Sequence, residues 1–191
     1  MLEFLFGPKN PTKDWQRASD LRLTFDLECG KLNGVGFGER LERLSFLGPV
    51  EDRSGLRQGE HRYFSLGLSV DCRSGDDTVD EFEIIQKDEY VPKYRPFPGA
   101  IQYHGENFDL GQLTEEICVR TLGPPFWKDE DADEIILFYE FPSREWQVEF
   151  ALDGTLNRII ATSKPIMADE RQRKAYGVTQ PWPPRIREAQ R

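Results

Sequence analysis

The sequence predicts an α+β fold of two tandem repeats, each a short helical layer packed on an antiparallel β-sheet. Three observations lead there. Leu47-Gly48-Pro49 recurs as Leu122-Gly123-Pro124, 75 residues further on, and a fixed internal period marks a duplicated supersecondary unit. Apolar residues alternate with polar ones in both halves, the period-2 pattern of half-buried strands. A short segment of helical pattern precedes each Gly-Pro, where a helix commonly stops.

Residues 2–6 read as a short edge strand closed by Gly7-Pro8-Lys9-Asn10-Pro11. Leu21, Leu23, Phe25 and Leu27 alternate with Arg22, Thr24 and Asp26 as a strand. After a glycine-rich stretch, residues 39–47 read as a short helix with Leu41, Leu44 and Leu47 inward. Residues 63–70 and 79–85 read as strands joined by a turn at 73–77. The second unit repeats this order. Residues 101–103 and 107–110 flank His104-Gly105, and Thr114 suits the N-cap of a helix with Glu115 and Glu116 in its first turn. That helix ends at Leu122. An acidic loop follows, then strands over 134–141, 144–151 and 155–162.

Tyr63 lies 15 residues after Gly48, and Tyr139 lies 16 after Gly123, so spacing as well as order repeats. The predicted boundaries are an N-terminal strand and turn segment (1–19), a first α+β unit (20–91), a second (92–163), and a basic tail containing proline and tryptophan (164–191). Pro92, Pro96 and Pro98, with Tyr90, Tyr94 and Phe97 among them, predict an ordered crossover between the units.

The 191 residues suffice to bury a core, and 38% are hydrophobic. The formal net charge of −9 is uneven: residues 164–191 carry +4 and residues 1–163 carry −13. An acidic body repels phosphate backbones, so no nucleic-acid partner is expected, and basic protein partners are better matched. Cys29, Cys72 and Cys118 form an odd, widely spaced set, which argues against a disulfide framework. The N-terminus lacks the basic flank and apolar core of a signal peptide, and no stretch approaches a membrane span. The expectation is a cytoplasmic protein that contacts no membrane.

A helix, Leu-Gly-Pro, then meandering strands with a tyrosine and a late Asp-Gly turn resemble the units of the β-lactamase-inhibitor-protein fold. They also resemble the related small lipoprotein domain of the outer-membrane barrel-assembly machinery. The resemblance spans roughly residues 20–163 and implies paired units whose sheets present a protein-binding face. The chain departs from it in lacking a signal peptide and a disulfide set, and no inhibitor contact residue can be matched.

Tyr63, Tyr139 and Trp146 fit either a sheet core or an exposed aromatic face of the kind that anchors interfaces. Phe126 and Trp127 sit where the two copies diverge after Gly-Pro. Asp129, Asp131, Asp133, Ile136 and Glu140 fall at positions 1, 3, 5, 8 and 12 of a calcium loop, but Glu134 occupies the position that needs glycine. Gly34, Gly36 and Gly38 lack the final glycine of a dinucleotide fingerprint. His61 and His104 are the only histidines, and Cys29 and His104 hold equivalent places in the two units, so symmetry does not bring them together. No catalytic residue, metal site or cofactor is assigned.

The expected function is therefore non-enzymatic: a protein-binding module, of inhibitor or immunity type, that uses an acidic aromatic surface. Its candidate partner-binding residues are Tyr63, Phe126, Trp127, Asp129, Asp131, Asp133, Tyr139, Trp146 and Trp182. The alternative is an enzyme or small-ligand binder with a cleft between the units. A further alternative is a structural subunit that forms a homodimer through the tail, with Trp182 docking on a second copy rather than on its own acidic body.

Overall fold

A computed structural model describes residues 10–73, 75–88, 91 and 93–183. The strand proposed at 2–6 lies outside those residues, as do Tyr90, Pro92 and the chain beyond Pro183. In chain order the strands are β1 (Thr24–Asp26), β2 (Lys31–Leu32), β3 (Val35–Gly36), β4 (Glu60–Tyr63), β5 (Leu68–Arg73) and β6 (Thr78–Ile85). Then come β7 (Ala100–Tyr103), β8 (Glu106–Phe108), helix α1 (Glu115–Leu122), β9 (Trp127–Glu130), β10 (Glu134–Phe141), β11 (Arg144–Ala151), β12 (Leu156–Thr162) and helix α2 (Glu170–Ala175).

The strands form two sheets. One has five strands in the order β3-β2-β1-β7-β8, and the other seven in the order β4-β5-β6-β12-β11-β10-β9. Pairing is antiparallel except between β1 and β7, where Phe25 lies opposite Ile101. At the centre of the large sheet β6 meets β12, with Ile84 opposite Ile159. Strands from both halves of the chain thus share each sheet.

The core lies on the inner face of the large sheet. Tyr63, Val70, Phe82, Ile84, Leu137, Trp146, Val148, Phe150 and Ile159 alternate inward there. They cluster with Phe25, Leu32 and Ile101 of the small sheet and with Cys118 of α1. Burial of this apolar surface is the main favourable contribution to stability.

Helices contribute less to this layer than the sequence predicts. The segment expected as a first helix is a 3-10 helix, Leu41–Leu47. Its three inward leucines are spaced by three, and a three-residue turn aligns them on one side. Helix α1 begins as expected, with Thr114 Oγ1 accepting the Ile117 N–H at 3.3 Å. The layer facing the large sheet is therefore mostly the five-stranded sheet.

Two local expectations change. The proposed strand over 63–70 is broken by a 3-10 turn, Phe64–Leu66, that folds β5 back on β4 so that Tyr63 pairs with Leu68. The acidic loop contains edge strand β9, in which Trp127 pairs with Phe138 and Asp129 with Ile136. Pairing with an apolar neighbour overrides the weak strand propensity of Lys128, Asp129 and Glu130, and charge suits an exposed edge.

The described residues of the segment between β6 and β7 pack against the body. The Phe97 N–H bonds the Ile85 carbonyl at 2.8 Å, and Tyr94 meets the Phe64 ring edge-on at 4.8 Å. The tail covers part of the outer sheet face through a second cluster, where Phe138, Met167 and Val178 are joined by Phe126, Trp127, Tyr176 and Trp182. Among the described residues no helix is long and apolar enough to cross a membrane.

Candidate functional site

Strand alternation that sends aromatic residues inward sends acidic ones outward. Glu81 and Glu83 alternate with Phe82 and Ile84, and Glu145 and Glu149 with Trp146 and Val148. Register then aligns them. Glu60 lies opposite Asp71, Asp71 opposite Glu81, Glu81 opposite Thr162, Thr162 opposite Glu145, and Glu145 opposite Glu140. Five carboxylates and one hydroxyl therefore form a single row across six strands. Like charges placed opposite one another repel.

Two environments divide this row. At the β4–β6 end, Glu60, Asp71 and Glu81 are half-buried and open to solvent. Burial, followed by the neighbouring Glu81, Glu83 and Glu60 charges, pushes Asp71 up to about 7. Burial and Glu83 likewise push Glu81 up to about 7, against a hydrogen bond from Thr162. Glu83, one step along the sheet, is raised by burial and opposed by Arg158. Arg62 offsets part of the charge, pairing with Glu60 and, at 3.1 Å, with Asp52.

At the other end the tail covers the row. Glu145 is fully buried, and its Oε2 accepts the Ile166 N–H at 2.7 Å while its Oε1 accepts from Gln147. Glu140 Oε2 accepts the Trp182 indole N–H at 3.0 Å, and its Oε1 is buried without a donor. Burial, then the bond and charge of Glu145, raise Glu140 far above the ordinary carboxylate range. A proton held on Glu140 and donated to Glu145 satisfies the orphaned oxygen.

The sequence-predicted residues scatter about this arrangement. Tyr63, Tyr139 and Trp146 are at most 5% exposed, so they build the core and offer no surface to a partner. Tyr139 donates its hydroxyl to the Gly123 carbonyl at 3.1 Å, tying strand to helix end. Phe126 and Trp127 are half-buried against the tail. Asp131 caps its own turn, its Oδ1 accepting from the Asp133 and Glu134 N–H groups at 2.8 and 3.0 Å, which holds its carboxyl below the usual range. Asp129 lies half-buried in β9 and Asp133 is exposed. Trp182 docks on its own chain through Glu140. The acidic row went unseen because alternation gives the facing of each glutamate, whereas their alignment depends on strand order.

No group of three or more His, Cys, Asp or Glu side chains among the described residues is placed to hold a metal ion. His104 Nδ1 lies 3.3 Å from Glu28 Oε2, and His61 is buried beside the Val70 carbonyl. Cys72 and Cys118 are buried free thiols, and Cys29 is exposed.

A second feature lies beside the β10–β11 turn. A groove of about 380 Å³ separates the β2–β3 hairpin from the turn between β10 and β11, with Cys29, Lys31, Phe37, Glu39, Ser143 and Arg144 on its walls.

No family model matches the chain, and no curated protein matches it. Among solved structures it is similar to a DUF4309 family protein (YjgB) from Bacillus subtilis subsp. subtilis str. 168. Identity is 16% and the TM-score 0.49, over 70% of this chain and 84% of that one.

Proposed function

We propose that the protein is a non-enzymatic binding module that recognises a basic segment of another protein through the open half of its acidic row. The observation that carries this reading is the alignment of Glu60, Asp71 and Glu81 on adjacent strands, half-exposed, with Asp71 and Glu81 pushed up to about 7. Carboxylates that hold protons because of burial and, after it, one another's charge release them to a cationic partner, whose charge offsets both. An inhibitor or immunity-type role fits such a surface. The cytoplasmic location belongs to the same proposal, supported by three free cysteines.

The test is titration with a Lys/Arg-rich peptide at low ionic strength. Affinity rises from pH 6 to pH 8 as Asp71 and Glu81 ionise. The double variant Asp71→Asn, Glu81→Gln binds about tenfold more weakly at pH 8, a loss of roughly 1.4 kcal/mol, and loses the pH dependence. Equal affinity in the two proteins at pH 8 sinks the proposal. Recovery from the native host with the same variant as control then identifies the partner.

The scaffold reading accompanies this one: the chain is a duplicated unit, as in the fold it resembles. The 75-residue offset supports it, carrying β1 onto β7, β2 onto β8 and the 3-10 helix Leu41–Leu47 onto α1. Gly48 and Gly123 share one backbone conformation (φ 81°, ψ −170° and φ 84°, ψ −177°). Ile84 and Ile159, themselves 75 apart, pair where the halves of the large sheet meet. The alternative of a small-ligand binder is favoured by the groove that Lys31 and Arg144 line, one from each proposed unit. Oligomerisation through Trp182 would first have to break its bond to Glu140.

A further inference from the structure

We infer that the groove between the β2–β3 hairpin and the β10–β11 turn is a binding site for a compact organic anion carrying a carboxylate or phosphate group. The central group is Arg144. Its guanidinium carbon lies 4.7 Å from the Phe141 ring centroid and 5.9 Å from that of Trp146, and its Nε is buried without an acceptor.

The contrast with other arginines is informative. The chain has 34 acidic and 25 Lys and Arg residues, so counter-charges are abundant. The half-buried Arg62 and Arg158 each hold a carboxylate, at 3.1 Å from Asp52 and 2.5 Å from Glu149. Arg144 forms no ion pair among the described residues. A cation partly withdrawn from water is costly unless a counter-charge meets it. Contact with two rings holds the guanidinium at the groove wall, and its terminal N–H groups suit a bidentate acceptor.

The other wall supplies Lys31, which forms no ion pair among the described residues, and Ser143 adds a hydroxyl donor beside Arg144. The carboxylate in the groove is already engaged: Glu39 pairs with Arg43 and accepts the Gly36 N–H at 3.0 Å. Asp26, next to the groove, accepts the Cys29 N–H at 2.9 Å. Phe37 gives an apolar wall for the body of the ligand. The volume of about 380 Å³ admits a small molecule and falls within the usual range of ligand pockets.

The probes are inorganic phosphate and benzoate, titrated separately into isotope-labelled full-length protein while the Arg144 Nε–H and Lys31 amide resonances are followed. Saturable shifts of both signals at roughly millimolar probe are expected with at least one anion. Phosphate alone assigns a phosphate ester, and benzoate alone assigns a carboxylate. Arg144→Met, which keeps an unbranched chain over Phe141, abolishes saturation, and Lys31→Met weakens it about tenfold. The inference is overturned if neither probe saturates, or if Lys31→Met binds as tightly as the parent. Both variants bind the Lys/Arg-rich peptide unchanged, so failure here is distinct from failure of the acidic-row proposal.

Discussion

Replacing Glu140 by glutamine tests the buried carboxyl pair under the tail. Glu140 is 6% exposed and Glu145 fully buried, so solvent does little to screen their repulsion. Burial and the Glu145 charge hold the Glu140 proton far above the pH at which an unfolded chain releases it. The folded state therefore binds one more proton than the unfolded state through the neutral range. Stability from this group is complete below about pH 4 and declines as pH rises towards the folded-state value. One proton of difference corresponds to about 1.4 kcal/mol per pH unit.

Glutamine keeps the geometry without the proton. Its amide N–H₂ donates towards Glu145, and its oxygen accepts the Trp182 indole N–H now bonded to Glu140 Oε2 at 3.0 Å. From pH 6 to pH 8 the parent should thus lose up to about 3 kcal/mol more unfolding free energy than Glu140→Gln. Asp71 and Glu81 titrate near pH 7 in both proteins and cancel in the difference. Urea denaturation followed by tryptophan fluorescence measures this at several pH values. Parallel stability curves for parent and variant would refute the shared proton.

Gly48→Ala and Gly123→Ala each force a side chain into a backbone region reserved for glycine (φ 81° and 84°), at a cost of about 1–3 kcal/mol. Gly48→Ala should lose more in urea denaturation, because its Cβ would sit 3.1 Å from the Arg17 backbone nitrogen, whereas Gly123 has open space. Among the thiols, Cys29 is exposed, while burial pushes Cys72 up to about 12 and Cys118 up to about 11. A thiol reagent at pH 8 should modify Cys29 rapidly and the other two only on unfolding, so two fast-reacting thiols in the native protein would contradict this burial.

Much of the scaffold was legible because its signals are local. The strand over Arg144–Ala151 follows from alternation, that over Glu134–Phe141 from a short continuous apolar run, and Thr114 announces a helix start through its side-chain oxygen. Edge strand β9 was not legible, since Trp-Lys-Asp-Glu reads as loop until Ile135–Phe138 offers a pairing partner. The aromatic residues were the hardest to place. Alternation puts Tyr139 and Trp146 on a common face, but it says nothing about which face a second layer covers.

Period, alternation and charge balance are legible along the chain: where strands and helix stops fall, and that the body is acidic. Those properties are written between near neighbours, where backbone geometry converts spacing into facing. The alignment of five carboxylates across six strands, the closing of the tail over Glu140 and Glu145, and the placing of Lys31 and Arg144 on one groove arise from the folded arrangement. Each of these joins residues distant in the chain, and strand order and register, set by how two sheets bury one core, bring them together.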